Sequence, residues 1–244
     1  MSTVQEPGAR LTERLSQPAP RRDFLKWSGA GVLATVGLAA CSDDTAVRSI
    51  TEVVTDTVAA PPVVFPGVTL NFANDLGVLN FAFLLEQLEA AFYTAVVSNP
   101  AFASIFSANE QRVLTDLRDH EIVHREFLRS ALGTNAIQAP TFNFASVNFA
   151  SRLSVLNAAR DLEDTGVGAY NGAARFLTAS NFLILAGKIV SVEGRHAAAI
   201  RDILAPRTGN FAPSPFDPAL QPAQVVGVVQ PFVQNQITLT NVPA

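Results

Sequence analysis

Two short patterns carry most of the chemistry in this chain. Glu121-x-x-His124 and Glu193-x-x-His196 each set a carboxylate and an imidazole three residues apart. On a helix that is about one turn along one face, so both side chains of a pair can reach one cation. Two more carboxylates, Glu86 and Glu163, are each followed seven residues later by a tyrosine, Tyr93 and Tyr170. The two patterns use both tyrosines and two of the three histidines in the protein. Four carboxylates can offset two divalent cations, the histidines supply one imidazole to each, and bridging glutamates hold the ions near enough to share an oxygen ligand. The expected site is a dinuclear carboxylate centre with Glu86, Glu121, His124, Glu163, Glu193 and His196 as ligands. Its expected occupants are two iron ions, with two manganese ions as the alternative. Tyr93 and Tyr170 are expected to donate their hydroxyls to ligand carboxylates from outside the centre.

These residues need four helices to hold them. Apolar residues recur at alternating three- and four-residue steps over 74–97, 108–132, 148–177 and 181–204, for example Leu79, Phe83, Ala90 and Val97 in the first. Each stripe is interrupted near its middle by one of the four glutamates. Ser107 with Glu110 three residues on reads as a capping box opening the second helix, and Gly133 closes it. The Glu-x6-Tyr stripes repeat at an offset of 77 residues and the Glu-x-x-His pairs at an offset of 72, so the chain reads as a duplicated helical hairpin. Links within each hairpin are short, which makes the paired helices antiparallel. The segment 133–147 between hairpins can stretch about 50 Å at ~3.3 Å per residue, enough to cross the length of a bundle. Four buried carboxylates without partners would cost several kcal/mol each, so something cationic is expected between them. The competing expectation is a metal-free bundle whose buried polar groups satisfy one another.

Residues 74–204 resemble the bacterial ferritin-like domain proteins related to desiccation-associated proteins. The passages that carry the resemblance are Leu85-Glu86-Gln87-Leu88-Glu89-Ala90-Ala91-Phe92-Tyr93, Leu162-Glu163-Asp164-Thr165-Gly166-Val167 and Val192-Glu193-Gly194-Arg195-His196-Ala197. The resemblance implies an all-α fold, a ferritin-like four-helix bundle with a crossover between its second and third helices. It also implies oxidative chemistry, either ferrous iron oxidised by oxygen or peroxide, or peroxide removed. Two alternatives stand beside this: a manganese catalase-like reaction, and a non-enzymatic envelope protein that binds metal or protects against drying. A storage cage is disfavoured, because a tether and a long proline-rich tail would crowd its shell, although a smaller homo-oligomer is compatible.

Composition narrows the field further. Of 244 residues 48% are apolar and 16% charged, which supports a large core. The net charge of -4 leaves no basic excess for a phosphate backbone, so nucleic acid is excluded as a partner. One cysteine, Cys41, excludes a disulfide framework and a cysteine-based zinc site. Arg21-Arg22 with Phe24 and Leu25, followed by an uncharged apolar run, resembles a twin-arginine export signal. Leu38-Ala39-Ala40-Cys41 resembles a lipobox, which would place a lipid on Cys41 and anchor the exported protein at a membrane of the cell envelope. The expected organisation is a signal over 1–41, a tether over 42–73, the bundle over 74–204 and an irregular proline-rich extension over 205–244.

Four features lie off the main pattern. Glu89 is one turn from Glu86 but off the stripe, so it is expected in solvent or outside the ligand set. His120 is expected to be a polar neighbour of Glu121 rather than a third nitrogen ligand. Gly166, Gly168 and Gly194 weaken their helices by ~1 kcal/mol each, and close helix approach near the site would explain them. Spacing does not decide the roles of Arg118, Asp119, Asp164 and Arg195.

Overall fold

The computed structural model describes residues 65–243. The expected export signal with Arg21 and Arg22, the expected lipidation site Cys41 and most of the expected tether lie outside the described residues. Four long helices form the body: α1 (Asp75–Val97), α2 (Ala108–Leu132), α3 (Arg152–Ala173) and α4 (Ser180–Leu204). Their ends follow local chemistry. The Asn74 side chain accepts from Leu76 N at the start of α1. Ser107 and Glu110 form the reciprocal capping box of α2, and Gly133 ends α2 with φ 55°, a conformation in which glycine has no Cβ penalty. Among the described residues no helix is long and apolar enough to cross a membrane.

Contacts between helix ends fix their directions. Asn80, in the second turn of α1, donates to Asn135 O at 2.9 Å and accepts from Ile137 N at 2.8 Å, so α1 begins where α2 ends. Arg152, the first residue of α3, donates to Ile203 O at 3.1 Å, so α3 begins where α4 ends. The same guanidinium donates through Nε to Glu110 in the first turn of α2 at 2.9 Å. Helices α2 and α3 therefore start at the same end and run parallel, and the segment between them must travel the length of the bundle. That is the expected crossover. Asp75 accepts from Thr178 N and Ala179 N, both at 2.8 Å, which sets the starts of α1 and α4 side by side.

The crossover also packs. Phe144 and Phe149 lie against Phe92 with ring centroids 5.7 and 6.2 Å away, and losing such a ring from a core costs about 3–5 kcal/mol. Helix α1 is thus covered on the face away from the Glu86 seam as well, and Leu84, Leu88 and Phe92 are fully buried there. Helix α3 starts at Arg152, later than the expected residue 148. Asn148 uses its side chain to accept from Ala150 N, an Asx turn, and the true cap is Ser151, which accepts from Ser154 N.

Two regions differ from their expected irregularity. Residues Val68–Asn71, placed in the tether by sequence, form β1, which pairs in parallel with β2 (Ile237–Thr240) in the extension. A parallel pair needs a long connection, and here the whole bundle supplies it, so two strands join an otherwise helical fold. The extension also contains a short helix, α5 (Pro222–Val229), which begins on one of the prolines of the segment expected to be irregular. Asn235 ties these parts together: it accepts from Thr141 N in the crossover and donates to Pro66 O before β1, both at 2.7 Å.

Candidate metal centre

Each long helix contributes one buried glutamate at mid-length. Glu86 comes from α1, Glu121 from α2, Glu163 from α3 and Glu193 from α4, all with no exposed surface. His124 and His196 follow one turn after Glu121 and Glu193 and turn their Nδ1 atoms to the same centre. His124 Nδ1 lies 2.8 Å from Glu193 Oε1 and 3.3 Å from Glu86 Oε2. His196 Nδ1 lies 2.8 Å from Glu121 Oε1 and 3.5 Å from Glu163 Oε2. The six residues named from sequence are therefore brought together in one cluster.

Within it are two groups of four whose ligand atoms all fall within 4.8 Å of one another: Glu86, Glu121, His124 and Glu193, and then Glu121, Glu163, Glu193 and His196. Glu121 and Glu193 belong to both. The donor atoms fit cations better than they fit each other. Both oxygens of Glu121 and Glu193, Oε2 of Glu86 and Glu163, and Nδ1 of both histidines are buried without an aligned hydrogen bond. Their short mutual distances are those of atoms converging on shared points, which is the arrangement that metal ions would satisfy.

The tyrosines act across the hairpins. Tyr93 on α1 donates to Glu163 Oε1 on α3, and Tyr170 on α3 donates to Glu86 Oε1 on α1. Each hydroxyl takes the outer oxygen of a terminal glutamate and leaves the inner one for the centre. Burial raises both phenols well above their ordinary range, with the neighbouring carboxylates adding to it, so both remain donors.

The charges are redistributed strongly. Burial pushes Glu86 well above the usual carboxylate range, and repulsion from Glu193 adds to it. Glu163 is pushed up to about 8, by burial and then by Glu121 and Glu193 against the pull of His196. For Glu121 burial also acts upward, but the approach of His124 and His196 wins and takes it to about 2. Burial would lower both histidines. The surrounding carboxylates, Glu121 foremost, outweigh it and push each up to about 12. Without metal, two imidazolium protons supply the positive charge that the four carboxylates demand.

Two residues break the pseudo-twofold symmetry. Glu89, expected in solvent or outside the ligand set, is 3% exposed, so the solvent expectation is corrected. Helix α1 is covered on all sides, which gives this position no outward face. Glu89 Oε1 sits 3.1 Å from where a Cβ on Gly166 would lie, and it has no hydrogen-bond partner. Gly166 is the residue that corresponds to Glu89 at the 77-residue offset, so the missing side chain on α3 makes room for the carboxylate on α1. Comparing the two halves position by position is the signal that could have found this. His120 is exposed, as a polar neighbour would be, and its Nδ1 lies 2.9 Å from His196 Nε2 with the rings stacked at 10°. Its counterpart at the 72-residue offset is Val192, so only one of the two inward histidines is held this way.

The remaining sequence features sort cleanly. Gly168 and Gly172 admit the extension rather than another helix, with Leu220 N donating to Gly168 O at 2.8 Å. A Cβ on Gly194 would meet nothing within 4 Å, so the close-approach expectation fails there. Arg118 pairs with Asp119 and Arg201 with Asp164, each at 2.7 Å, and Arg195 donates to Ser191 Oγ at 3.2 Å, all away from the cluster.

A family model described as a ferritin-like domain matches residues 74–206 of the chain. No curated protein matches it.

Proposed function

Because the chain belongs to the ferritin-like domain family, we propose that its glutamate–histidine cluster holds two iron ions and either oxidises ferrous iron or removes peroxide or oxygen, at the outer side of a cell membrane. The observation that carries this reading is the sharing of Glu121 and Glu193 between two four-residue groups. It suits two cations held side by side, each with one further glutamate and one imidazole of its own. Two bound irons would supply two electrons to a single O–O bond. The chain's own groups prepare the place: Tyr170 and Tyr93 fix the terminal glutamates by their outer oxygens, His120 holds the outer nitrogen of His196, and burial excludes bulk water.

Metal analysis of the full chain isolated from its own membrane is expected to give two irons per chain. Two manganese ions would move the reading to a catalase-like enzyme, and no metal would leave a non-enzymatic envelope protein. In the same preparation, ferrous protein is expected to react with oxygen or peroxide faster than free ferrous ion in the same buffer. Equal rates with metal retained would overturn the enzymatic reading.

Loading is expected to release protons. The histidines held near pKa 12 are protonated at neutral pH, and Glu163 near 8 is mostly so; each must lose its proton to bind a cation. Glu86, also pushed well above the usual carboxylate range, adds to these, so more than two protons should leave for each pair of metals at pH 7, and affinity should climb as pH rises. An indicator dye in weak buffer reads this directly. Uptake without proton release would remove the histidines from the ligand set.

The location rests on the signal-like segment. Cys41→Ser is expected to abolish lipid labelling, and Arg21→Lys with Arg22→Lys to stall export through the twin-arginine machinery, since a receptor reads the paired arginines. Lipid-labelled double-lysine protein in the envelope would sink that route.

A further inference from the structure

At one end of the cluster, inside the bundle, lies a cavity of about 30 Å³ walled by residues from all four long helices. Every wall residue is alanine, valine, leucine, isoleucine or phenylalanine except Tyr170. Leu85, Leu128, Tyr170 and Ile189 are among its lining residues. Leu85 adjoins Glu86, Leu128 follows His124 by four residues, and Ile189 precedes Glu193 by four. Tyr170 spends its hydroxyl on Glu86. The cavity therefore abuts the position formed by Glu86 and His124.

The duplication sets smaller side chains at four wall positions of this end than at their counterparts. At the 77- and 72-residue offsets, the wall residues Ala169, Ala173, Ala186 and Ala131 correspond to Phe92, Val96, Leu114 and Ile203. Those larger side chains fill the other end: Phe92, Val96 and Leu114 are 0–1% exposed, and Ile203 packs against the same core. Four alanines from both hairpins stand at this end where their counterparts are larger, while Phe81 and Phe127 are larger than their counterparts Ala158 and Ala199.

A space of this size exceeds the roughly 10–15 Å³ that a single water needs, but a water also needs two to four polar partners. None is free here, because the helix backbone bonds to itself and the one hydroxyl is taken. Hydrogen peroxide, with two O–H groups, meets the same objection. A small apolar molecule does not. We propose that this cavity is a docking chamber for dioxygen, which enters the Glu86/His124 position through it. The proposal rests on the di-iron reading above. In the balanced reaction two ferrous ions lose one electron each, and one dioxygen takes both electrons and two protons from solvent. The products are two ferric ions and one hydrogen peroxide.

The test copies the packed end into the hollow one with Ala173→Val plus Ala186→Leu, and uses Ala186→Leu alone should the pair fail to fold. Xenon under pressure on the full chain without metal is expected to occupy the cavity in the wild type and to be lost from the variants. Loaded with ferrous iron, the variants are expected to bind the normal amount of metal. Their oxidation by dioxygen should be slower by about tenfold or more, as for a guest shut out of a filled space, and their oxidation by peroxide unchanged. Absence of xenon from the wild type, equal slowing with both oxidants, or no slowing with either overturns the chamber. Wild-type protein oxidised by peroxide but not by dioxygen overturns the proposal while the di-iron reading stands. Wild-type protein that holds no iron, or reacts with neither oxidant, overturns the di-iron reading itself and the chamber's role with it.

Discussion

Glu193→Ala is expected to empty both metal positions, and Glu86→Ala only one. Glu193 is common to the two ligand groups, as is Glu121, whereas Glu86 and Glu163 each serve a single group. Removing a shared carboxylate takes one negative charge and one bridging ligand from both positions. The affinity loss should exceed the roughly 10–100-fold that follows loss of an outer hydrogen-bond partner, which is the smaller effect expected for Tyr93→Phe through Glu163. Replacing Glu121 and His124 together should resemble Glu193→Ala, since it removes one shared ligand and one private one. The helices should survive in all these variants, because taking a carboxylate out of a crowded, metal-free core relieves repulsion and desolvation. Metal content per chain and far-ultraviolet circular dichroism read the two halves of this expectation. Two metals retained in Glu193→Ala would remove that residue from the ligand set, and two retained in the Glu121/His124 variant would end the six-residue scheme.

Why the cluster was legible in sequence while its surroundings were less so comes down to range. Helix ends are written locally: Asn74, the Ser107–Glu110 box and Gly133 each bond within a few residues, and each ends its helix where expected. The six polar residues stand out because they interrupt apolar stripes at the same place in two copies of one pattern. Glu89 was misread because a single stripe assumes that off-stripe positions face solvent, whereas Glu89 turns toward α3, where Gly166 leaves room for its carboxylate. The β1–β2 pair had no local signal at all. Val68 pairs with Ile237 across the whole bundle, a separation that no local pattern spans. Helix α5 was hidden for a related reason: the prolines around it read as breakers, yet Pro222 stands at its first turn, where a missing N–H costs nothing.

The extension gives the second large effect. Gly172→Ala is expected to destabilise the protein by about 3 kcal/mol or more, because the new Cβ would lie 1.8 Å from the backbone oxygen of Leu220. A flexible side chain could swing away; a carbonyl held in place by Leu220 N bonding to Gly168 O, and by Arg175 reaching Gln221 Oε1 at 2.7 Å, cannot do so without undocking the segment. For a folded body of this size that loss corresponds to a fall in melting temperature of roughly 6–12 °C. Gly194→Ala is the matched control in α4. Nothing lies within 4 Å of its added methyl, so the substitution should stabilise the helix by up to ~1 kcal/mol. Both glycines interrupt helical runs, and their opposite signs separate a docking contact from a mere weak spot. Thermal and denaturant unfolding of both variants measure the difference. An unchanged midpoint for Gly172→Ala would mean that residues 218–221 do not rest on α3, and that the carboxyl-terminal strand and helix are held only by β1 and the crossover.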